Sequence, residues 1–218
     1  MKSIFILCLM TLICACGGGS SSTPPPPPPQ YPLDSAISTF QQMNHNYNLS
    51  ATSGGNTFTL QISFVPGAQS TFDGMAALTS TETITLYENS VSQGTDTVTF
   101  YFTISPYTQL GGISTNGEVE VDANQMSLPD LATVGQTGPF DTYTTYTDNT
   151  RTTVYETATV TWSLEADTAT SALGCLNYTG TMNGSPFSES DCYQIDENGN
   201  VLSIQITLNE GGTTLVFK

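Results

Sequence analysis

Strict one-for-one alternation of apolar and polar residues is the feature that most constrains this chain. Phe58, Leu60, Ile62 and Phe64 alternate with Thr59, Gln61 and Ser63. Val98, Phe100, Phe102 and Ile104 alternate with Thr99, Tyr101 and Thr103. Val154, Ala158, Val160, Trp162 and Leu164 share one side of a third stretch, with Glu156 as its single polar intruder. Leu202, Ile204, Ile206 and Leu208 repeat the pattern. A side-chain period of two means a strand with one dry and one wet face. Strands of that kind build antiparallel sheets, because strands of parallel sheets are buried on both faces. The wet positions are mostly threonine, which suits a pleated surface. About nine or ten strands are predicted. Asn198-Gly199, Asn183-Gly184, Gly211-Gly212 and Asp148-Asn149 mark the turns between them.

One helix precedes the strands. From Asp34 to Met43, Ile37, Phe40 and Met43 fall on one side with Ala36. Asp34 or Ser35 is the expected cap, and Asn44-His45-Asn46 the expected end. No longer helix follows, so the crossovers of a parallel sheet are missing. The fold class is therefore all-β: an antiparallel β-sandwich, or an open β-barrel or curved sheet, with one short N-terminal helix. The two architectures stay open at this level.

The chain begins Met1-Lys2-Ser3, followed by an apolar run from Ile4 to Ile13 and then Cys14-Ala15-Cys16. One positive charge, a short apolar stretch and a small-residue exit are the parts of an export signal. The run is shorter than the roughly 20 residues a membrane-spanning helix needs. Ile13-Cys14-Ala15-Cys16 resembles the lipobox of bacterial lipoproteins, with an aliphatic residue three before the cysteine and a small one just before it. The resemblance implies cleavage after residue 15 and lipidation of Cys16. Two or more acyl chains hold a protein stably on a membrane. Gly17, where an aspartate would mark inner-membrane retention, implies the bacterial outer membrane.

Residues 16–32 then read as a tether. Gly17 to Thr23 is flexible coil, and Pro24 to Pro29 is a stiff polyproline spacer of about 19 Å. The remaining 33–218 is long enough for one good core and reads as a single β domain.

The mature part keeps all 19 acidic residues, with only Arg151 and Lys218 as basic partners, a side-chain charge of about −17. Phosphate recognition depends on basic side chains, so nucleic-acid binding and direct binding to anionic lipid headgroups are excluded. Cys8 and Cys14 leave with the signal and Cys16 takes the lipid. Cys175 and Cys192 remain, an expected disulfide in an oxidising compartment.

No catalytic set is legible. The lone histidine, His45, sits in a polar stretch and reads as solvated. Zinc lacks ligands, and no cofactor is expected. Asp191 and Asp196 are weak calcium candidates, because Asp196-Glu197-Asn198-Gly199-Asn200 fails as an EF-hand loop and the hairpin turn accounts for it. Glu156 is the carboxylate worth naming, since burial on an apolar face would raise its pKa. Tyr87, Tyr101 and Tyr155 lie on the polar side of their strands and read as solvated cross-strand pairs or as a sugar- or protein-binding row.

Three functional readings follow. The default is a non-enzymatic binding or structural module of the envelope, tethered to the membrane, with a protein or glycan partner. The second is a carrier of a hydrophobic ligand, its cavity lined by Phe58, Phe64, Phe100, Phe102 and Trp162. The early helix and long meander are similar in outline to periplasmic lipoprotein-handling carriers, a similarity of layout that transfers no functional residue. The third is a secreted hydrolase using two carboxylates.

Overall fold

The computed structural model describes residues 27–218. Cys16, the export segment and most of the tether lie outside the described residues. The chain order is β1 (Gln30–Tyr31), α1 (Leu33–Phe40), β2 (His45–Ser53), β3 (Asn56–Pro66), β4 (Ser70–Phe72), β5 (Met75–Glu88), β6 (Val91–Ile104), β7 (Tyr107–Ser114), β8 (Val119–Asp122), β9 (Ala132–Thr133), β10 (Thr137–Tyr146), β11 (Val154–Ala166), β12 (Ser171–Met182), β13 (Ser185–Asp196), β14 (Val201–Glu210) and β15 (Thr213–Phe217).

All but β1 and β9 belong to one antiparallel meander, in the order β15-β14-β13-β12-β11-β10-β8-β7-β6-β5-β3-β2, with β4 beside β5. The two ends of that path meet. Ser50 and Lys218 exchange both backbone hydrogen bonds, at 3.0 and 3.2 Å. The sheet is therefore a nearly closed barrel rather than two stacked layers. β1 pairs separately with β9, and Tyr31 is buried in the core, so residues 30 and 31 pack with the domain rather than belonging to the tether.

Helix α1 plugs one end. Leu33, Ala36, Ile37 and Phe40 recur at helical spacing and are all buried. They pack with Ile62, Phe102, Leu164, Ile195 and Phe217. The helix needs Gly174 beneath it: a Cβ there would lie 2.6 Å from Leu33 Cδ1. Asp34 Oδ1 accepts the Tyr107 backbone N–H at 3.0 Å, tying the helix to β7. It is not the cap, because Pro32 holds that position without a side-chain bond. The helix also ends at Phe40, earlier than its apolar spacing suggests. Gln42 and Met43 bond back three residues, to Thr39 and Phe40, and this tighter turn leaves Met43 exposed.

The strand registers define the opposite end. Hairpins joining β2–β3, β5–β6, β7–β8, β10–β11, β12–β13 and β14–β15 all lie there. Asn183 and Gly184 adopt φ values of 50° and 77° in the β12–β13 turn, as a two-residue hairpin requires.

Among the described residues, five register shifts that sequence periodicity does not show interrupt the meander. Between β13 and β14 the register shifts at Gln194/Ile195. Leu202 is skipped and points outward, 56% exposed, instead of sharing the inner face with Ile204 and Ile206. The shift at Thr145/Tyr146 likewise exposes Val154. On the outer wall a second cluster, Phe72, Ala77, Leu110 and Val119, lies under β4. Arg151 clamps it, bridging Asp73 at 2.6 Å and covering the Phe72 ring.

Cys175 and Cys192 are direct register partners on β12 and β13 and are disulfide-bonded. Both are buried. The bridge closes a 17-residue separation, so replacing both cysteines by alanine should lower unfolding free energy by about 3 kcal/mol. Urea unfolding of the double variant measures this, and an unchanged midpoint would contradict it.

Candidate functional site: an acidic, tyrosine-lined lumen

Closing the sheet gives its strands an inside, and the inside is not uniformly apolar. The hydrophobic core lies under α1 and continues along β2, β3, β14 and β15. Toward the hairpin end, carboxylates take inward positions on strand after strand. Phe64, Glu82, Val98 and Ser114 are neighbours across β3, β5, β6 and β7. Glu120 and Asp122 alternate along β8, with Asp122 opposite Tyr143 and Glu120 opposite Thr145. Glu156 faces Thr145 and Met182. Glu189 and Asp191 follow each other on β13, beside Tyr178 and Leu176.

Two spaces lie between these walls. A chamber of about 170 Å³ next to the plug is lined by Gln41, Glu82, Tyr107, Glu120, Tyr143, Tyr178, Glu189, Asp191 and Tyr193. A second, about 220 Å³, lies at the hairpin end among Asp96, Ser114, Glu118, Glu120, Tyr155 and Glu156. Glu120 borders both, so the two lie in line along the barrel interior, called here the lumen. The inner one ends on α1 and the outer one lies at the hairpin end, the mouth.

Among the described residues the basic side chains are His45, Arg151 and Lys218, and none lines either chamber. The acids therefore meet only each other, tyrosine and amide groups. Burial without a counter-ion favours the neutral acid. Burial is the first cause that raises the Glu82 carboxyl, to about 8, with the charges of Glu189, Asp96 and Glu120 adding to it. Glu189 and Asp122 are pushed up for the same first reason, and each also faces a neighbouring acid, Asp191 and Asp141 respectively. Glu120 and Asp191 are raised as well. The Tyr143 hydroxyl donates to Glu156, but burial outweighs that bond and the Glu156 carboxyl still rises. Burial also raises the Tyr107, Tyr143, Tyr178 and Tyr193 hydroxyls, so these rings stay neutral at ordinary pH.

Some lumen atoms are left without a partner. Gln41 is only 8% exposed and its Oε1 accepts no hydrogen bond. Asp191 Oδ1 and Asp122 Oδ2 are buried in the same condition. The two aspartates, as protonated acids, sit beside Glu189 and Asp141 and can share a proton with them, whereas Gln41 Oε1 is an acceptor needing a donor that the protein itself does not supply.

The residues named from sequence are only partly gathered here. Glu156 reaches the lumen, and Tyr155 lies at its mouth. Asp191 does too, but Asp196 sits in the β13–β14 turn, where its carboxylate accepts from Asn198 and Asn200. Those bonds hold its carboxyl below the usual range, and the two aspartates are not brought together. His45 is not a solvated loop residue. Its ring stacks on Phe40 at 4.2 Å, Nε2 lies 3.2 Å from the Phe40 carbonyl, and burial lowers its pKa. Tyr101 packs against Phe72 on the outer wall. Phe64 and Phe100 line the inner chamber among carboxylates, while Phe102 belongs to the core. Glu82 and Glu189 each interrupt the apolar alternation of their strand, and Glu120 and Asp122 lie on the four-residue β8, whose valines face the outer wall, so none of the four is legible from sequence.

Fold and site together define a plugged antiparallel β-barrel with an acidic, aromatic interior. No family model, curated protein or solved structure matches the chain.

The raised acids make stability depend on pH. Glu82 keeps its proton in the fold to about pH 8, whereas its ordinary value is 4.5. Between those values the folded state binds the extra proton. Stability should therefore be greatest below about 4.5 and fall toward pH 8, by roughly 1.4 kcal/mol per pH unit for each such group. Urea unfolding across that range measures it, and stability that is flat or rising would contradict it.

Proposed function

We propose that this protein is a lipid-anchored envelope module that binds a ligand through the mouth of its barrel and performs no catalysis. The observation that carries the reading is polarity along the barrel. β1, the first strand after the tether, pairs with β9 at the plugged end, and the lumen opens at the other. A chain anchored through Cys16 would therefore present the mouth away from the membrane.

The outer wall supports a barrel that stands in water. Thr81, Thr83 and Thr85 on β5 bond hydroxyl to hydroxyl with Thr99, Thr97 and Thr95 on β6. A membrane-spanning barrel carries an apolar outer band, whereas these paired threonines make the outer face of β5 and β6 polar. Among the described residues no helix is long and apolar enough to cross a membrane. The lipid on Cys16 would then be the attachment, at the outer membrane as Gly17 implies. The lining favours a polar, positively charged ligand over an acyl chain, because carboxylates and tyrosines surround Phe64 and Phe100. A protein or glycan partner would meet the hairpins around the mouth.

Cell fractionation tests the anchor. Wild-type protein should sediment with membranes, and Cys16→Ala should move most of it to the soluble fraction or leave it unprocessed. A Cys16→Ala protein that is processed and still sediments with membranes would overturn the reading.

A further inference from the structure

We propose that the lumen is a binding site for a compact organic cation, an alkylammonium, held between the carboxylates and the tyrosine rings. The proposal rests on the reading of the barrel as a binding module, but not on the lipid anchor.

Several independent observations converge on it. The carboxylates Glu82, Glu120, Glu189 and Asp191 line the inner chamber with no basic side chain among them. Acids alone would not define a ligand. The second observation is Gln41, at the end of the plug helix. It lines the same chamber, is more than nine-tenths buried, and offers an unpartnered Oε1. An ammonium N–H satisfies such an acceptor, which nothing in the protein does. The third is aromatic. Tyr143 and Tyr178 meet edge to face with centroids 6.3 Å apart, and ring faces attract cations, most strongly where water is excluded.

Two features set the size and kind of cation. The chamber of about 170 Å³ is below the roughly 300 Å³ of an ordinary small-molecule pocket, so the ligand is compact. Among the described residues no three carboxylate, histidine or cysteine side chains converge as a metal ion requires. The acids are spread around a wall, which suits a cation whose charge is carried by C–H and N–H surface. The acidic mouth at Asp96, Glu118 and Glu156 would draw such a cation inward.

Binding also has a proton signature. The acids that hold protons in the empty barrel must release them to pair with a cation, so affinity should rise with pH between about 5 and 8 and each binding event should liberate protons.

Isothermal titration of the purified full chain with 1,4-diaminobutane and with methylammonium chloride, at constant ionic strength, tests this. The expected result is saturable binding of one equivalent of at least one of them. It should be stronger at pH 8 than at pH 5.5, with proton release read from buffers of different ionisation heat. Glu189→Gln should weaken it at least about tenfold, the effect of losing one close charge pair. Gln41→Met should weaken it less. Glutamine keeps the shape of glutamate and removes a buried acid, so the variant should fold at least as well as wild type; an unchanged circular dichroism spectrum checks this. No saturable binding of either cation, binding independent of pH, or equal binding by Glu189→Gln would overturn the proposal. Tighter binding of calcium than of both cations would overturn it too. The membrane attachment of the chain is unaffected by any of these outcomes, so the anchor and the ligand stand or fall separately.

Discussion

Everything distinctive about this molecule depends on one backbone exchange, between Ser50 on β2 and the residue after β15, Lys218. It joins the first and last strands of the meander. Without it, a curved sheet would have two faces, both reachable by water. With it, every other residue on each strand is enclosed. A threonine on the outer face stays solvated, and a carboxylate on the inner face loses solvent and must find a proton or a cation. Barrels remove sheet edges in the same stroke, and the short β15 leaves little of that seam to spare.

The interior divides unequally because the plug fills only one end. Leu33, Ile37 and Phe40 complete a dry core with Ile62, Leu164 and Phe217. That core supplies the apolar burial that marginal stability requires. Beyond it the walls continue past the plug, and Glu82, Glu120, Glu156 and Glu189 line space rather than packed side chains. A protein selected for stability alone would fill these positions with leucine or valine, since buried unpaired acids cost more than they contribute. Their presence around an open space is what separates a site from a defect.

Legibility in the sequence followed the same division. β3, β6 and β11 could be read because Leu60, Phe102 and Val160 keep strict alternation up to the core. β5 and the first half of β13 could not: Glu82, Glu189 and Asp191 stand where apolar residues belong, and the pattern dissolves ahead of the Cys192–Ile195 run. The residues that make the lumen are thus the ones that hide its strands. Glu156 was visible as an acid on a dry face only because the rest of β11 is intact. The disulfide was legible by elimination, and its position fits the Asn183-Gly184 turn. Bulges were not legible, since one skipped residue, as at Leu202, leaves composition unchanged. Closure was not legible either, because nothing local connects residue 50 with residue 218. The short strands β1, β4 and β9 are too brief to show any period.

Carboxyls facing the lumen carry protons when no cation neutralises them. Carbon-13 NMR of the full chain, with labelled Asp and Glu side chains assigned through Glu82→Gln and Glu189→Gln, reads each carboxyl directly. The account predicts that Glu82 and Glu189 titrate well above the ordinary glutamate value, Glu82 near 8, while Asp196 in its turn titrates below the ordinary aspartate value. Lumen carboxyls that all titrate near 4, like exposed ones, would contradict it.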